Sequence, residues 1–154
     1  MMTIIKMQIN HNLVNREPLF QTLEQLDSED FLKKTGAGRG SIRDILIHLM
    51  DAERYWIATL RDTKIEKSKS EDFQDIQSIR SAWSRIAIDT EEFIRNLADE
   101  ELQHVKSVRW GDQTVRFTGA KVLVHMATHE THHRGFLIGL IRQLGLEPPD
   151  VNML

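Results

Sequence analysis

The chain contains no cysteine and only three prolines in 154 residues. Without cysteine, disulfide bonds, a thiolate nucleophile and thiolate metal ligands are all excluded. Any metal site must therefore use imidazole and carboxylate groups, and thiol chemistry would need a thiol from outside the protein. The prolines stand at Pro18, Pro148 and Pro149. Almost the whole chain is thus free to form long helices.

Strong net charge and long apolar runs are also missing. The net charge is -3, which gives no basic surface of the kind that binds nucleic acid. No apolar run is long enough to cross a membrane, and the first ten residues lack the features of a signal peptide. We therefore expect a cytoplasmic protein with neither nucleic acid nor membrane as a partner. The length and the 40% hydrophobic content predict one domain over residues 1–154.

Apolar residues at helical spacing predict four long helices. Their expected bounds are roughly 3–26, 42–61, 75–97 and 119–144. Pro18 interrupts the first helix, which either kinks there or restarts with Pro18 in its first turn. Ser41 and Asp44 have the spacing of a capping box at the start of the second helix, and Gly145 is placed to end the fourth.

The connections complete an all-α four-helix bundle with one small β-hairpin. Residues 105–110 and 114–117 alternate in polarity around Gly111 and Asp112, which suit a turn. The hairpin therefore lies between the third and fourth helices. The other connections are read as a turn, a flexible loop and an exposed linker, over residues 27–30, 35–40 and 63–72. The length of that linker leaves room for a crossover, so simple up-down topology is not implied.

Three histidines are the candidate functional residues. His129 and His133 lie one helical turn apart and share one helix face. His48 lies on the inward face of the second predicted helix. If the three meet, they form a divalent-metal site with open coordination positions, which distinguish a reactive metal from a structural one. Imidazole suits several ions, so zinc is expected from its availability, with nickel or another transition metal as the alternative.

Each of these histidines also has an interpretation without metal. His48 could be satisfied by a hydrogen bond to Tyr55 or to a backbone carbonyl, and the i, i+4 pair occurs by chance in many helices. The string from His129 to His133 also matches the HExxH zinc helix of metalloproteases, but further ligand and cleft signals are missing. Asp51, one turn past His48, is either an acceptor that orients an imidazole or an exposed carboxylate.

Two segments in the right order carry a resemblance to a known family. They are residues 41–56, around His48, and residues 125–135, around His129 and His133. Over nearly its whole length the chain resembles the DinB/YfiT-like family of small metal-binding bundle proteins. The resemblance implies an up-down-down-up helix order, a homodimer and a metal held by His48, His129 and His133.

The resemblance also implies a function. Characterised members of the family include transferases that use bacillithiol and isomerases that use mycothiol. The hypothesis is a metal-dependent enzyme that activates a low-molecular-weight thiol, or water, for transfer to an electrophile. The alternative is a non-catalytic metal-binding or dimeric stress-response protein. The open side of the metal is expected to face a pocket walled by Tyr55 or Trp56 and by parts of the first and third helices.

Three further residues near the second segment have expected places. His125 would neighbour the metal without binding it, and His132 would face outward. Phe136 stands where similar sequences often have glutamine. If that glutamine orients a ligand or lines a dimer face, the same role is in doubt here.

Overall fold

The structure is a computed structural model that describes residues 2–36 and 40–153. Its helices are α1 (Met2–Leu23), α2 (Ser28–Leu32), α3 (Ile42–Leu60), α4 (Ile76–Asn96) and α5 (Gly119–Gln143). Two short 3-10 helices, Ser70–Asp72 and Glu101–Gln103, lie in the connections, and the hairpin consists of β1 (Val105–Trp110) and β2 (Gln113–Thr118). The predicted all-α bundle with one hairpin is confirmed.

The four long helices run up, down, down and up, as two apolar clusters establish. One cluster joins the ends of α1 and α5 to the starts of α3 and α4, through Leu23, Ile141, Ile45 and Ile79. The other joins the starts of α1 and α5 to the ends of α3 and α4, through Ile5, Leu123, Ile57 and Ile94. Helix α3 is therefore antiparallel to α5 and parallel to α4. The helix order that the family resemblance implied is confirmed.

The helix ends follow the local sequence. The Ser41 side chain accepts from the backbone N–H of Asp44 at 3.1 Å, and the Asp44 carboxylate accepts from the N–H of Ser41 at 3.1 Å. This is the predicted capping box. At the end of α5, the N–H of Leu146 donates to the carbonyl of Ile141 at 3.1 Å, and Gly145 has a φ of +79°. Gly145 thus ends α5 in a Schellman motif, as its position predicted.

Two regions differ from the sequence predictions. Of the two alternatives at Pro18, a kink or a new helix start, the new start is wrong, because α1 runs through Pro18 to Leu23. Buried neighbours of Pro18, including Leu19, hold this part of the helix against the core. Residues 28–32 form α2 instead of an irregular turn, because the Asp27 side chain caps it by accepting from the N–H of Asp30 at 2.8 Å. The loop expected over 35–40 includes residues 37–39, which lie outside the described residues.

The hairpin packs where α3 ends and α5 begins. Its strands are antiparallel, with Trp110 opposite Gln113, and Gly111 has a φ of +60°, which a two-residue turn can require. Phe117 on β2 is buried, and its ring lies 5.6 Å from that of Trp56 on α3. Within the described part of the chain, no helix has the length and apolar character that a bilayer crossing needs.

Candidate metal centre

The imidazoles of His48, His129 and His133 meet between α3 and α5. One ring nitrogen from each lies within 4.8 Å of the other two, and the three ring centroids are 4.6–5.0 Å apart. All three side chains are half-buried. The antiparallel packing of α3 on α5 brings His48 opposite the histidine pair. The three candidate residues that the sequence singled out are thus brought together.

The donor set and its spacing fit a transition metal. Three nitrogens bound at about 2.0–2.1 Å to a tetrahedral zinc ion lie about 3.3–3.4 Å from one another. The Nε2 atoms of His48 and His129 are 2.9 Å apart, which is also a hydrogen-bond distance between the two rings. A small rotation of either side chain would lengthen this distance to the separation that a bound zinc ion requires. No other group of three or more potential ligands is this close among residues 2–36 and 40–153.

The other two histidines of this segment lie at the edge of the group. His125 is exposed, and its ring is 5.5 Å from that of His129 and 5.2 Å from that of Trp56. His132 is exposed as well, with its ring 5.1 Å from that of His133. Helix α5 thus turns its i, i+4 pair toward α3 and leaves His132 facing outward.

Both interpretations of Asp51 are wrong. Its carboxylate accepts from the backbone N–H of Ser68 at 3.0 Å, from the Ser68 hydroxyl at 2.7 Å and from Arg54 at 2.9 Å. The side chain is only 18% exposed. Asp51 is therefore neither an acceptor for an imidazole nor a free surface carboxylate. It fastens the long connection after α3 to that helix.

Phe136 has a packing role in this chain. Its ring is half-buried and packs against the apolar cluster that joins the ends of α1 and α5 to the starts of α3 and α4. A glutamine at this position would place an amide against that cluster.

The sequence analysis missed a buried ionic network next to the histidine triad. Arg16 of α1 donates to Glu130 of α5 at 2.8 and 2.5 Å, and its guanidinium also lies 2.7 Å from Glu53 of α3. The indole N–H of Trp83 on α4 donates to Glu53 at 2.6 Å. Glu130 directly follows His129, so the network joins both helices that carry the histidine triad to α1. The available signal was the position of Glu53 on the inward face of α3.

Arg16 keeps its positive charge despite its burial. Burial opposes the charge on Arg16, but Glu130 and Glu53 outweigh it and hold the pKa of Arg16 above its ordinary value. Burial lowers the pKa of Arg134, and attraction to Glu130 opposes this effect. Arg134 also donates to the Asn12 side chain at 3.0 Å. The guanidinium of Arg16 thus remains a cation between two carboxylates.

Fold and site together define a class of protein. It is an up-down-down-up four-helix bundle with one hairpin and a histidine triad that could hold a metal ion. The chain belongs to the DinB family, whose family model matches residues 1–154.

Relatives and solved structures agree with this family. The uncharacterized protein YizA of Bacillus subtilis is 26% identical over 144 residues, which cover 94% of this chain and 90% of YizA. A DinB-like protein from Bacillus cereus has a similar structure, with a TM-score of 0.68 and 19% identity over 90% of this chain and 91% of that one. The DinB-like protein YjoA of Bacillus subtilis has a TM-score of 0.65 and 16% identity, covering 94% and 96%. The two structures establish the fold.

Proposed function

We propose that this DinB-family chain binds one divalent metal ion through His48, His129 and His133. The observation that carries the proposal is the meeting of three imidazoles from two helices within 4.8 Å. Three protein ligands leave a coordination position for water or substrate, as in catalytic zinc sites. We propose zinc as the ion, with nickel or another transition metal as the alternative, because imidazole is a good ligand for each of them.

We further propose that the protein activates a low-molecular-weight thiol, or water, for transfer to an electrophile. A metal bound there would supply Lewis acidity, which lowers the pKa of a thiol or water. The chain's own part is to fix three neutral donors while Arg16 holds their two helices against α1. In the transfer, the thiol S–H bond breaks and its proton leaves to solvent. The sulfur then bonds to the electrophilic carbon and displaces a leaving group, which departs with the electron pair of its former bond. The chain has no cysteine to compete with that external thiol.

We propose that the protein acts as a cytoplasmic homodimer. Helices α1 and α4 expose four large apolar side chains: Ile4 at 72%, Met7 at 60%, Val14 at 58% and Ile88 at 67%. Apolar surface of this kind supports an interface with a second copy of the chain.

Metal analysis tests the first part of the proposal. Protein purified without a histidine tag should contain about one equivalent of a transition metal by elemental analysis, or take up one equivalent of zinc. Protein that takes up no zinc, nickel or cobalt would contradict the proposal.

The second part of the proposal is tested with cobalt-substituted protein. Adding small thiols should produce thiolate-to-cobalt absorption, and adding an electrophile should then give a thioether adduct detectable by mass spectrometry. Metal binding without any spectral change on addition of thiols would favour the non-catalytic alternative.

A further inference from the structure

A group of aromatic side chains lies beside the histidine triad. The chain has one tyrosine and three tryptophans. The tyrosine and two of the tryptophans belong to one group of rings, which we call the aromatic patch and which consists of Tyr55, Trp56, Trp110, Phe117 and His125. Trp56 contacts the other four, with ring centroids 5.0–6.3 Å from its own.

The aromatic patch is continuous with the triad. On α3, Tyr55 is seven residues past His48, so it lies on nearly the same helix face about 10 Å further along. On α5, His125 lies one turn before His129, with the two rings 5.5 Å apart. Because the two helices are antiparallel, both side chains extend the triad in the same direction, toward the hairpin.

Part of the aromatic patch is core, and part of it is surface. Trp56 and Phe117 are buried and hold the hairpin against the bundle. Trp110 is 52% exposed, Tyr55 is half-buried and His125 is exposed. Packing of the hairpin therefore accounts for the buried rings but leaves a large part of the Trp110 indole in water. Exposed aromatic surface beside a site with convergent polar groups is typical of ligand recognition.

We infer that the aromatic patch binds a planar aromatic or conjugated group of a substrate whose donor atom reaches the metal. This inference rests on the proposed metal site and names the substrate class that it takes. The rings of Tyr55, Trp56 and Trp110 carry no positive charge, so they suit a neutral flat group more than a phosphate or carboxylate. The ring-to-ring steps from His129 to Trp110 are 5.5, 5.2 and 6.3 Å. The substrate therefore needs a chain of several bonds between its donor atom and its flat group.

The test uses metal-binding probes that differ only in the ring. Hydroxamates bind zinc whether or not a thiol is the natural substrate, so a phenylbutyl hydroxamate is compared with its cyclohexylbutyl analogue. Both are titrated into zinc-loaded protein by calorimetry. The phenyl probe should bind about three- to tenfold more tightly, which is the range that aromatic pairs supply.

Substitutions on β1 test whether Trp110 is responsible for the preference for the phenyl probe. Trp110→Ala should remove the preference for the phenyl probe, and Trp110→Leu, which keeps an apolar contact with Trp56, should remove it without loosening the hairpin. Val105→Ala is the matched control, because Val105 is also exposed on β1 but lies on the opposite face of the strand. This variant should keep the preference.

Three results would overturn the inference. These are equal affinities of the two probes in the unchanged protein, a phenyl preference that survives in both Trp110 variants, and no binding of either probe to protein shown to contain zinc. Failure of thiols to bind the cobalt-substituted protein is a separate result. It would remove the proposed thiol chemistry and leave a phenyl preference of the hydroxamates standing.

Discussion

Arg16 and Glu130 form a bidentate ion pair in the interior. The N···O distances are 2.8 Å from Nε to Oε1 and 2.5 Å from Nη2 to Oε2. The Arg16 side chain is 11% exposed and that of Glu130 is 10% exposed. Salt screens such a pair much less than it screens a surface pair. The pair ties α1 to α5 immediately beside His129, and Glu53 extends the tie to α3. The histidine triad thus lies beside an ionic link that joins α1, α3 and α5.

Replacing Arg16 with methionine should destabilise the metal-free protein strongly. The substitution leaves the buried carboxylate of Glu53 without its cation, and Glu130 keeps only its attraction to Arg134. Breaking a buried ion pair in this way typically costs about 3–5 kcal/mol. The free energy of unfolding in urea measures the change. Arg80→Met is the matched control, because Arg80 pairs with Glu17 and Glu24 at the surface and should matter little.

The reason for that loss can be tested separately. Adding Glu53→Gln and Glu130→Gln to Arg16→Met removes the two buried carboxylate charges and should restore part of the lost stability. The network would be energetically unimportant if Arg16→Met and Arg80→Met had the same effect.

His129→Ala should abolish stoichiometric binding of zinc, whereas His132→Ala should leave it nearly intact. The first substitution leaves two imidazoles, too few to hold the ion well, and the second removes an exposed ring that faces away from α3. Elemental analysis of both proteins after zinc loading and desalting measures the difference. Equal zinc loss in the two variants would show that the wrong helix face has been chosen.

Asp51→Asn should release the connection between α3 and α4 without unfolding the bundle. Hydrogen bonds to a charged acceptor contribute about 1.5–3 kcal/mol each, and Asp51 accepts three of them. Amide hydrogen exchange over residues 63–72 should therefore become faster. Asp72→Asn, at an exposed position in the same connection, is the control. An unchanged exchange rate in Asp51→Asn would mean that other contacts hold this segment.

Val14→Glu should convert the proposed dimer to a monomer. A charge placed among the exposed apolar side chains of α1 and α4 would have to be desolvated at an interface there. Size-exclusion chromatography with light scattering gives the mass. Val105→Glu, at a similarly exposed apolar position on the hairpin, should stay dimeric. A monomeric unchanged protein at every concentration would contradict the proposal.

Most of the helices and turns could be predicted from the sequence because the signals that mark them are local. Helical periodicity, the capping pair Ser41 and Asp44, and Gly145 mark their elements within a few residues. The helix order was different, since no local signal tells whether α3 lies parallel to α4. The helix order came from the family resemblance, which also implied that His48 binds the same metal as His129 and His133.

The contacts that escaped the sequence analysis join positions far apart in the chain. A lone carboxylate is ordinarily expected at the surface, and nothing near Glu53 or Glu130 in the sequence indicates that Arg16 will be their partner. Likewise, Asp51 accepts from Ser68, which lies 17 residues away in a connection without periodicity. Such pairs depend on which helices pack together, and periodicity does not encode that.

The crossed helix order has a consequence for synthesis. The helices that carry the histidine triad, α3 and α5, are neighbours in space, yet all of α4 and the hairpin separate them along the chain. A nascent chain leaving the ribosome carries a single imidazole of the triad until its last long helix has emerged and settled against α3. A metal ion bound by all three imidazoles would therefore bind only chains in which α5 has packed against α3. It would stabilise these chains and not truncated or partly folded ones.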